Sequence, residues 1–251
     1  MTIAVIPIAG LPAVQPGDDL ARLLGDAIAA ARVGVKPHDV IAVCQKVVSK
    51  AEGAIVRLAD VVPSPFALTC AAQTEGKDAR LVEVILRQAR RIVRMDRGHL
   101  ICETQHGWVC ANAGVDESNY VTEGCVTLLP RDADASAERL RRGLSARFAA
   151  ELAVVVTDTF GRPWRDGLVD VALGCAGMNP MLDLRGQTDL NGRELHHTIV
   201  AVADHVAAAA GLVMEKGSGI AAAVVRGVRY TPGPGGAAQA LVRRRELDLF
   251  R

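Results

Sequence analysis

Apolar and polar positions alternate along this chain in stretches whose period changes from two to about three and a half, which predicts interleaved strands and helices. An opening strand is expected over Thr2 to Ile8, running into the turn-rich Gly10 to Gly17. Leu20, Leu23, Leu24, Ala27 and Ile28 then fall on one helical face, with Asp18 as the candidate N-cap. Val40 to Val48 reads as a buried strand that empties into the polar Ser49 to Gly53. Helices are predicted over Phe66 to Gln73 and Arg80 to Arg90, the second with Leu81, Val84, Ile85 and Gln88 at helical spacing. Leu100 to Glu103 and Trp108 to Ala111 flank His106-Gly107 as a hairpin.

The second half continues in the same manner, with a strand near Val126 to Leu129, a helix from Ser136 to Ala150 and a strand from Ala153 to Thr157. After the apolar, glycine-punctuated Leu168 to Gly177 come the turn-rich Arg185 to Gly192 and a helix around His197 to Val213. A strand over Ala222 to Arg226 precedes the Pro/Gly loop Thr231 to Ala237. Mixed elements without a strict β-α-β rhythm predict an α+β fold of mixed, largely antiparallel sheets with flanking helices. No internal repeat or long linker interrupts the pattern, so one unit or two tightly joined lobes are expected.

Composition narrows the function classes. A chain of 251 residues, 50% hydrophobic and 23% charged, has the balance of a folded globular protein rather than a disordered one. The longest apolar runs fall well short of a membrane span, and the apolar opening lacks a basic leader. A net charge of +1 gives no electrostatic case for a nucleic-acid partner. Cys44, Cys70, Cys102, Cys110, Cys125 and Cys175 form no C-x-x-C pair, which argues against a zinc knuckle and fits reduced cysteines in a cytoplasmic protein. The basic run Arg87, Arg90, Arg91, Arg94 and Arg97 reads as a solvated helix face.

The densest chemistry lies where Ala153 to Val156 give way to Thr157 to Gly167. Asp158 and Thr159 offer hard oxygen ligands suited to Mg²⁺ or Mn²⁺. Arg162 and Arg165 follow, with Gly161 and Pro163 forcing an irregular backbone; the two guanidinium groups could meet phosphate, or Arg162 could pair with Asp166. Asp116 and Asn119 share one side of a turn, either as ligands or as an Asx turn. Lys50 follows no G-x-x-x-x-G-K pattern, so a bound nucleotide would be held by a scaffold other than a P-loop. Glu215 to Gly219 closes a helix, and its glycines would also permit close approach to a ligand. The adjacent His196 and His197 splay apart on a helix, which makes a shared metal awkward. Gly233 to Gly236 reads as a flexible loop.

Together these segments resemble the coenzyme F420-0:γ-glutamyl ligase family. The likeness is carried by Gly10-Leu11-Pro12 with Pro16 to Leu20, by Gln45 to Gly53, by His106-Gly107, by Ala113 to Asn119 and above all by Asp158 to Gly167. It extends through Gly174, Gly177, Asp183, Gly186, Asp189, Gly192, Leu195, Ala203-Asp204 and Val224 to Gly227.

The resemblance implies a two-lobed ligase fold over residues 1–230, with 231–251 as a tail of the same unit. It implies GTP-dependent addition of L-glutamate to F420-0 through a γ-linkage, two divalent sites for Mg²⁺ or Mn²⁺ with K⁺ as a further candidate, and a homodimer. By motif, Leu11, Pro12, Ala13, Val14, Gln45, Lys50, Asn119, Met214, Lys216, Gly217, Ser218 and Gly219 correspond to nucleotide contacts. Asp116, Asp158, Thr159 and Glu215 correspond to metal ligands, while Lys50, Arg162 and Arg165 would neutralise charge during reaction. Some family members carry a further nitroreductase-like domain, for which this sequence has no room. Another nucleotide-dependent carboxylate–amine ligase or phosphotransferase, or a non-catalytic GTP- or F420-binding protein, are the alternatives.

Overall fold

The computed structural model describes residues 2–117 and 124–249. In chain order its elements are β1 (Ala4–Pro7), α1 (Leu20–Ala30), β2 (Val40–Cys44), α2 (Gln45–Ala51), β3 (Ile55–Arg57), α3 (Pro65–Ala72), α4 (Ala79–Gln88), β4 (Ala89–Asp96), β5 (His99–Thr104) and β6 (Val109–Ala111). There follow β7 (Cys125–Thr127), α5 (Ala133–Phe148), β8 (Ala153–Arg162), β9 (Arg165–Ala176), β10 (Leu182–Asp183), β11 (Ile199–Val200), α6 (Val202–Gly211), β12 (Ala222–Arg226) and α7 (Ala237–Leu241).

The main sheet has the order β1-β12-β2-β8-β9, and β4-β5-β6, β3-β7 and β10-β11 form smaller sheets. Every pairing is antiparallel except that of β2 with β8. This is the expected α+β architecture of largely antiparallel sheets.

Central strands covered on both faces need continuous apolar runs, and Val40 to Val43, Ala153 to Val156 and Ala222 to Val225 are all buried. Alternation then sorts them. Ile41, Val43, Val154 and Val224 meet Leu24 and Ile28 of α1 and Leu140 and Leu144 of α5. Val40, Ala42, Val155, Ala223 and Val225 meet α6 through Val202, Ala203, Val206, Ala207 and Ala210. Each fully buried leucine or isoleucine contributes roughly 1.5–3 kcal/mol. A third core joins α3 and α4 to the smaller sheets through Leu81, Val82, Ile85, Leu100, Cys102 and Val126.

Several boundaries differ from the sequence pattern. The cap of α1 is Asp19, whose side chain accepts the N–H of Arg22, whereas Asp18 turns back to the N–H of Gln15. The strand predicted to reach Val48 ends at Cys44, and Gln45 starts a helix whose inner face buries Val48. An apolar strand running into a short helix with a valine on its inner side shows no break in hydrophobicity, so periodicity alone misses the change. Asp158 to Gly167 forms a hairpin, because β8 continues to Arg162 and pairs with β9, and the expected irregular backbone is a register shift between Gly161 and Arg162. His196 and His197 precede α6, exposed and outside it. Arg90, Arg91 and Arg94 lie on β4 instead of a helix, with Arg91 bound to Glu103 and Arg94 to Asp96. The Gly233 to Gly236 segment is held against the sheet, where a side chain on Gly235 would collide with the carbonyl of Cys175, and it leads into α7.

One ion pair fastens the sheet at its far edge. Arg226 of β12 donates through Nε and Nη2 to both oxygens of Asp39, at 2.8 and 2.7 Å, and Asp39 is 1% exposed. Replacing Arg226 by Leu leaves that carboxylate buried without its partner and is expected to cost about 3 kcal/mol. Urea denaturation at neutral pH measures it, and a loss below about 1 kcal/mol, the scale of an exposed pair, contradicts the assignment.

Candidate functional site

Parallel pairing of β2 with β8 sets Cys44 beside Thr157, where β2 ends and β8 runs on paired with β9 alone. From the end of β2, α2 begins, carrying Gln45, Lys46 and Lys50. The continuing part of β8 brings Asp158 and Thr159. A cavity of 470 Å³ opens there. Gln45, Lys46, Lys50, Asn112, Asp116, Asp158, Thr159, Asp170, Met214, Glu215, Lys216, Gly217 and Gly219 all line it.

The wall opposite α2 is a tight turn. Asn112, Ala113 and Gly114 take successive φ values of 54°, 52° and 74°, a left-handed run that costs a non-glycine residue roughly 1–2 kcal/mol each. Packing maintains it, since Ala113 is buried and a side chain on Gly114 would overlap Leu129. The turn delivers Asn112, whose Oδ1 accepts from Lys77 Nζ at 3.1 Å, and then Asp116 into the cleft.

Negative charge is concentrated on the floor. Burial first, with Asp116 and Asp170 adding to it, raises the Asp158 carboxyl to about 7, against the opposing N–H of Thr159 and the Lys46 ammonium. Asp170 is the cross-strand partner of Thr159 and accepts its hydroxyl at 2.6 Å. Lys46 Nζ stands 2.7 Å from Asp116. Burial, then repulsion from Lys46, lowers the Lys50 pKa, while Asp116 opposes that fall. Gln45 is buried and its Oε1 accepts from Ser49 at 2.8 Å. Burial pushes the Cys44 and Cys110 thiols, which also line the cleft, up to about 11 and 12, so both stay neutral at physiological pH.

Among the described residues no group of three or more His, Cys, Asp or Glu is assembled to hold a metal by itself. Mg²⁺ characteristically takes only one or two protein carboxylates and completes its shell with water and substrate phosphate. Asp158, Asp116 and the Thr159 hydroxyl suit that mode, because mutual repulsion of the carboxylates favours a cation between them.

Other motif residues lie elsewhere. Val14 is buried in the main core and Leu11 packs against it, while Pro12 and Ala13 are exposed outside the cavity lining. The Ser218 hydroxyl folds back onto the Glu215 carbonyl at 2.7 Å. Arg162 and Arg165 sit exposed at the hairpin tip, and Arg162 donates to the backbone carbonyl of Asp166 at 3.1 Å rather than to its carboxylate. Asn119 falls outside the described residues.

Lys46 and Asp170 are the contributions that motif reading passed over. Lys46 and Lys50 are one helical turn apart, a relation hidden while α2 is read as strand. Asp170 comes opposite Thr159 only once the chain reverses at Pro163-Trp164.

An acidic strand end faced by lysines, in a cleft able to hold anions and a hard cation side by side, is the site of an enzyme acting on charged substrates. The comparisons identify its kind. Residues 10–227 match the family model described as F420-0:Gamma-glutamyl ligase. The chain is 47% identical to the coenzyme F420:L-glutamate ligase of Methanothermobacter thermautotrophicus over an alignment of 255 positions that covers 100% of both chains. The corresponding ligase of Methanopyrus kandleri is 46% identical over 255 residues, covering all of this chain and 98% of that one. That of Archaeoglobus fulgidus is 42% identical over 252 residues, covering 100% and 97%. The chain therefore belongs to the F420-0:γ-glutamyl ligase family.

The raised Asp158 pKa has a measurable consequence without metal. Its folded value lies above the unfolded value, so the native state holds the extra proton between about 4 and 7, and this group's contribution to stability falls as pH rises through that window. Asp158→Asn is expected to stabilise the metal-free protein at pH 8 by about 1 kcal/mol, a few degrees in Tm, and to have little effect at pH 4. Calorimetry at the two pH values checks this; equal shifts at both would contradict it.

Proposed function

We propose that this protein adds L-glutamate through a γ-linkage to coenzyme F420-0, with GTP as phosphoryl donor and with Mg²⁺ or Mn²⁺ at two divalent sites. The observation that carries the reading is the meeting of Asp116, Asp158 and Thr159 with Lys46, Lys50 and the Met214 to Gly219 segment in one cleft of a family member. The relatives' names supply the substrates. K⁺ is a further candidate ion, and the cytoplasm fits the reduced cysteines. No helix among the described residues is long and apolar enough to cross a membrane.

A carboxylate is a poor acyl donor, so it must be activated. In the proposed route a terminal carboxylate oxygen of the acceptor forms a bond to the γ-phosphorus of GTP while the bond to the β-phosphate oxygen breaks, giving an acyl phosphate and GDP. The glutamate amine then attacks the acyl carbon; inorganic phosphate leaves, and the nitrogen gives up a proton as the amide forms. Asp158, Asp116 and Thr159, with Glu215, would hold the divalent ions, which would supply charge neutralisation at the phosphate oxygens. Lys46 and Lys50 bring the remaining positive charge, and Asp170 orients the Thr159 oxygen through their 2.6 Å hydrogen bond. The flexible-backbone glycines 217 and 219 let the segment after α6 close on the nucleotide.

Arg162 and Arg165 project beyond the cleft of their own chain, on a tip where Trp164 is 78% and Leu168 60% exposed. A homodimer gives that apolar tip a partner and the two guanidinium groups an anion to meet. Their part in neutralising charge during reaction belongs to that assembly.

Mass spectrometry after incubation with F420-0, GTP, glutamate and Mg²⁺ tests the reading. One or more glutamate-sized increments are expected; phosphorylation alone, or no change with GTP intact, would defeat it. Asp158→Ala is expected to lower turnover by about 10²- to 10³-fold, the usual cost of removing an electrostatic contact at a reacting centre. Asp170→Asn keeps the fold and is expected to raise the metal concentration needed for half-maximal rate.

A further inference from the structure

A second cavity, of 450 Å³, lies beside the start of α5. Trp108 and His106 of the β5–β6 turn, Arg131, Leu173 of β9, and Arg243 and Arg244 of the C-terminal segment line it. The activity described above leaves it without a role.

Its chemistry is one-sided. Arg131, Arg243 and Arg244 are exposed and enter no ion pair among the described residues. The carboxylates on the same wall are already engaged. Asp132 Oδ1 accepts the N–H of Ala135, and Asp134 accepts those of Cys175, Ala237 and Ala238. Those bonds leave the two carboxylates charged, but the three guanidinium groups outnumber them and are the ones with free donors, which match phosphate and carboxylate oxygens. Beneath them Trp108 packs with Leu129, Ala133, Leu173 and Phe160, an aromatic and aliphatic floor suited to covering a planar ring.

The wall is also held in place. His106 Nε2 lies 2.8 Å from the carbonyl of Arg131; a carbonyl only accepts, so that nitrogen carries the proton and donates. Gly107 has a φ of 91°, and a side chain there would stand 3.0 Å from Val242. The C-terminal segment thus rests on the β5–β6 turn and presents Arg243 and Arg244 above the floor.

The two cavities are neighbours. Phe160 lines the first and packs in one cluster with Trp108, Leu129, Ala133 and Leu173, which line the second. Asp158 is two residues before Phe160 on β8 and so shares its face. Its cross-strand partner Val171 is two residues, roughly 7 Å, from Leu173. A ligand lying over Trp108 can extend one end to Asp158.

We propose that the second cavity is the subsite for the aromatic, anionic end of the acceptor: its ring lies over Trp108, its phosphodiester meets Arg131, Arg243 and Arg244, and its reactive carboxylate points toward Asp158. This rests on the acceptor assigned under Proposed function.

The test is fluorescence titration of F420-0 into the full-length protein without GTP, for wild type, Trp108→Ala, Trp108→Phe and the double variant Arg243→Ala/Arg244→Ala. Circular dichroism and GTP affinity confirm each fold. The double variant and Trp108→Ala are expected to bind F420-0 about tenfold or more weakly, as loss of charge-assisted or stacking contacts requires, with Trp108→Phe near wild type. In turnover, KM for the acceptor rises while kcat falls far less. Unchanged acceptor affinity in a folded double variant overturns the proposal. If wild type neither binds nor glutamylates F420-0, the assigned acceptor fails separately, and FMN, a tricyclic ring bearing a phosphate, replaces it as probe. FMN binding that is lost in the double variant supports the subsite; FMN binding that is absent or unaltered overturns it.

Discussion

The parallel pairing of β2 with β8 is the constraint on which the site depends. β2 and β8 run the same way in register, so the end of β2 at Cys44 lies beside Thr157, just ahead of Asp158 on the part of β8 that runs on past β2 in its pairing with β9. The end of β2 supplies cations through α2, and the continuing β8 supplies carboxylate and hydroxyl oxygens. Had these strands been antiparallel, Lys46 and Asp158 would lie at opposite ends of the sheet. The antiparallel partners β12 and β9 flank the pair, with β1 beyond β12, and β9 returns Asp170 to the same end of the sheet.

The price of that arrangement is a carboxylate that does not easily ionise. Desolvation is the largest influence on Asp158, and two further acids add to it. Lys46 offsets part of this, yet it is also bound to Asp116. A cation held by Asp116 would compete with the Lys46 ammonium bound there, and a nearly neutral protein can still assemble intense local charge.

Much of this was legible in the sequence, and the exceptions have physical causes. Ala222 to Arg226 was readable to the residue because a central strand is apolar throughout and bounded by glycine. The His106-Gly107 hairpin was readable from its glycine, which adopts the left-handed φ that such a turn demands. The strand-to-helix change at Gln45 was hidden by continuous hydrophobicity. The hairpin at Pro163-Trp164 was hidden because Trp164, a bulky residue, takes a φ of 57°, a conformation that residue type rarely signals. Asp116, Asp158, Thr159 and the residues after α6 were placed in one cleft by the fold, as their motifs suggested. Asp170 and Lys46 needed pairing and helical register, which are properties of the folded chain.

Asp134 binds backbone amides from β9, 41 positions further along the chain, and from the start of α7, 103 and 104 positions further along. The tail that shapes the second cavity is therefore bolted to the strand that also carries Asp170. Removing α7 would strip the Asp134 carboxylate at the start of α5 of two of its amide donors and loosen its hold on β9, the strand that also carries Asp170. A segment that looks peripheral by position is, mechanically, part of the frame.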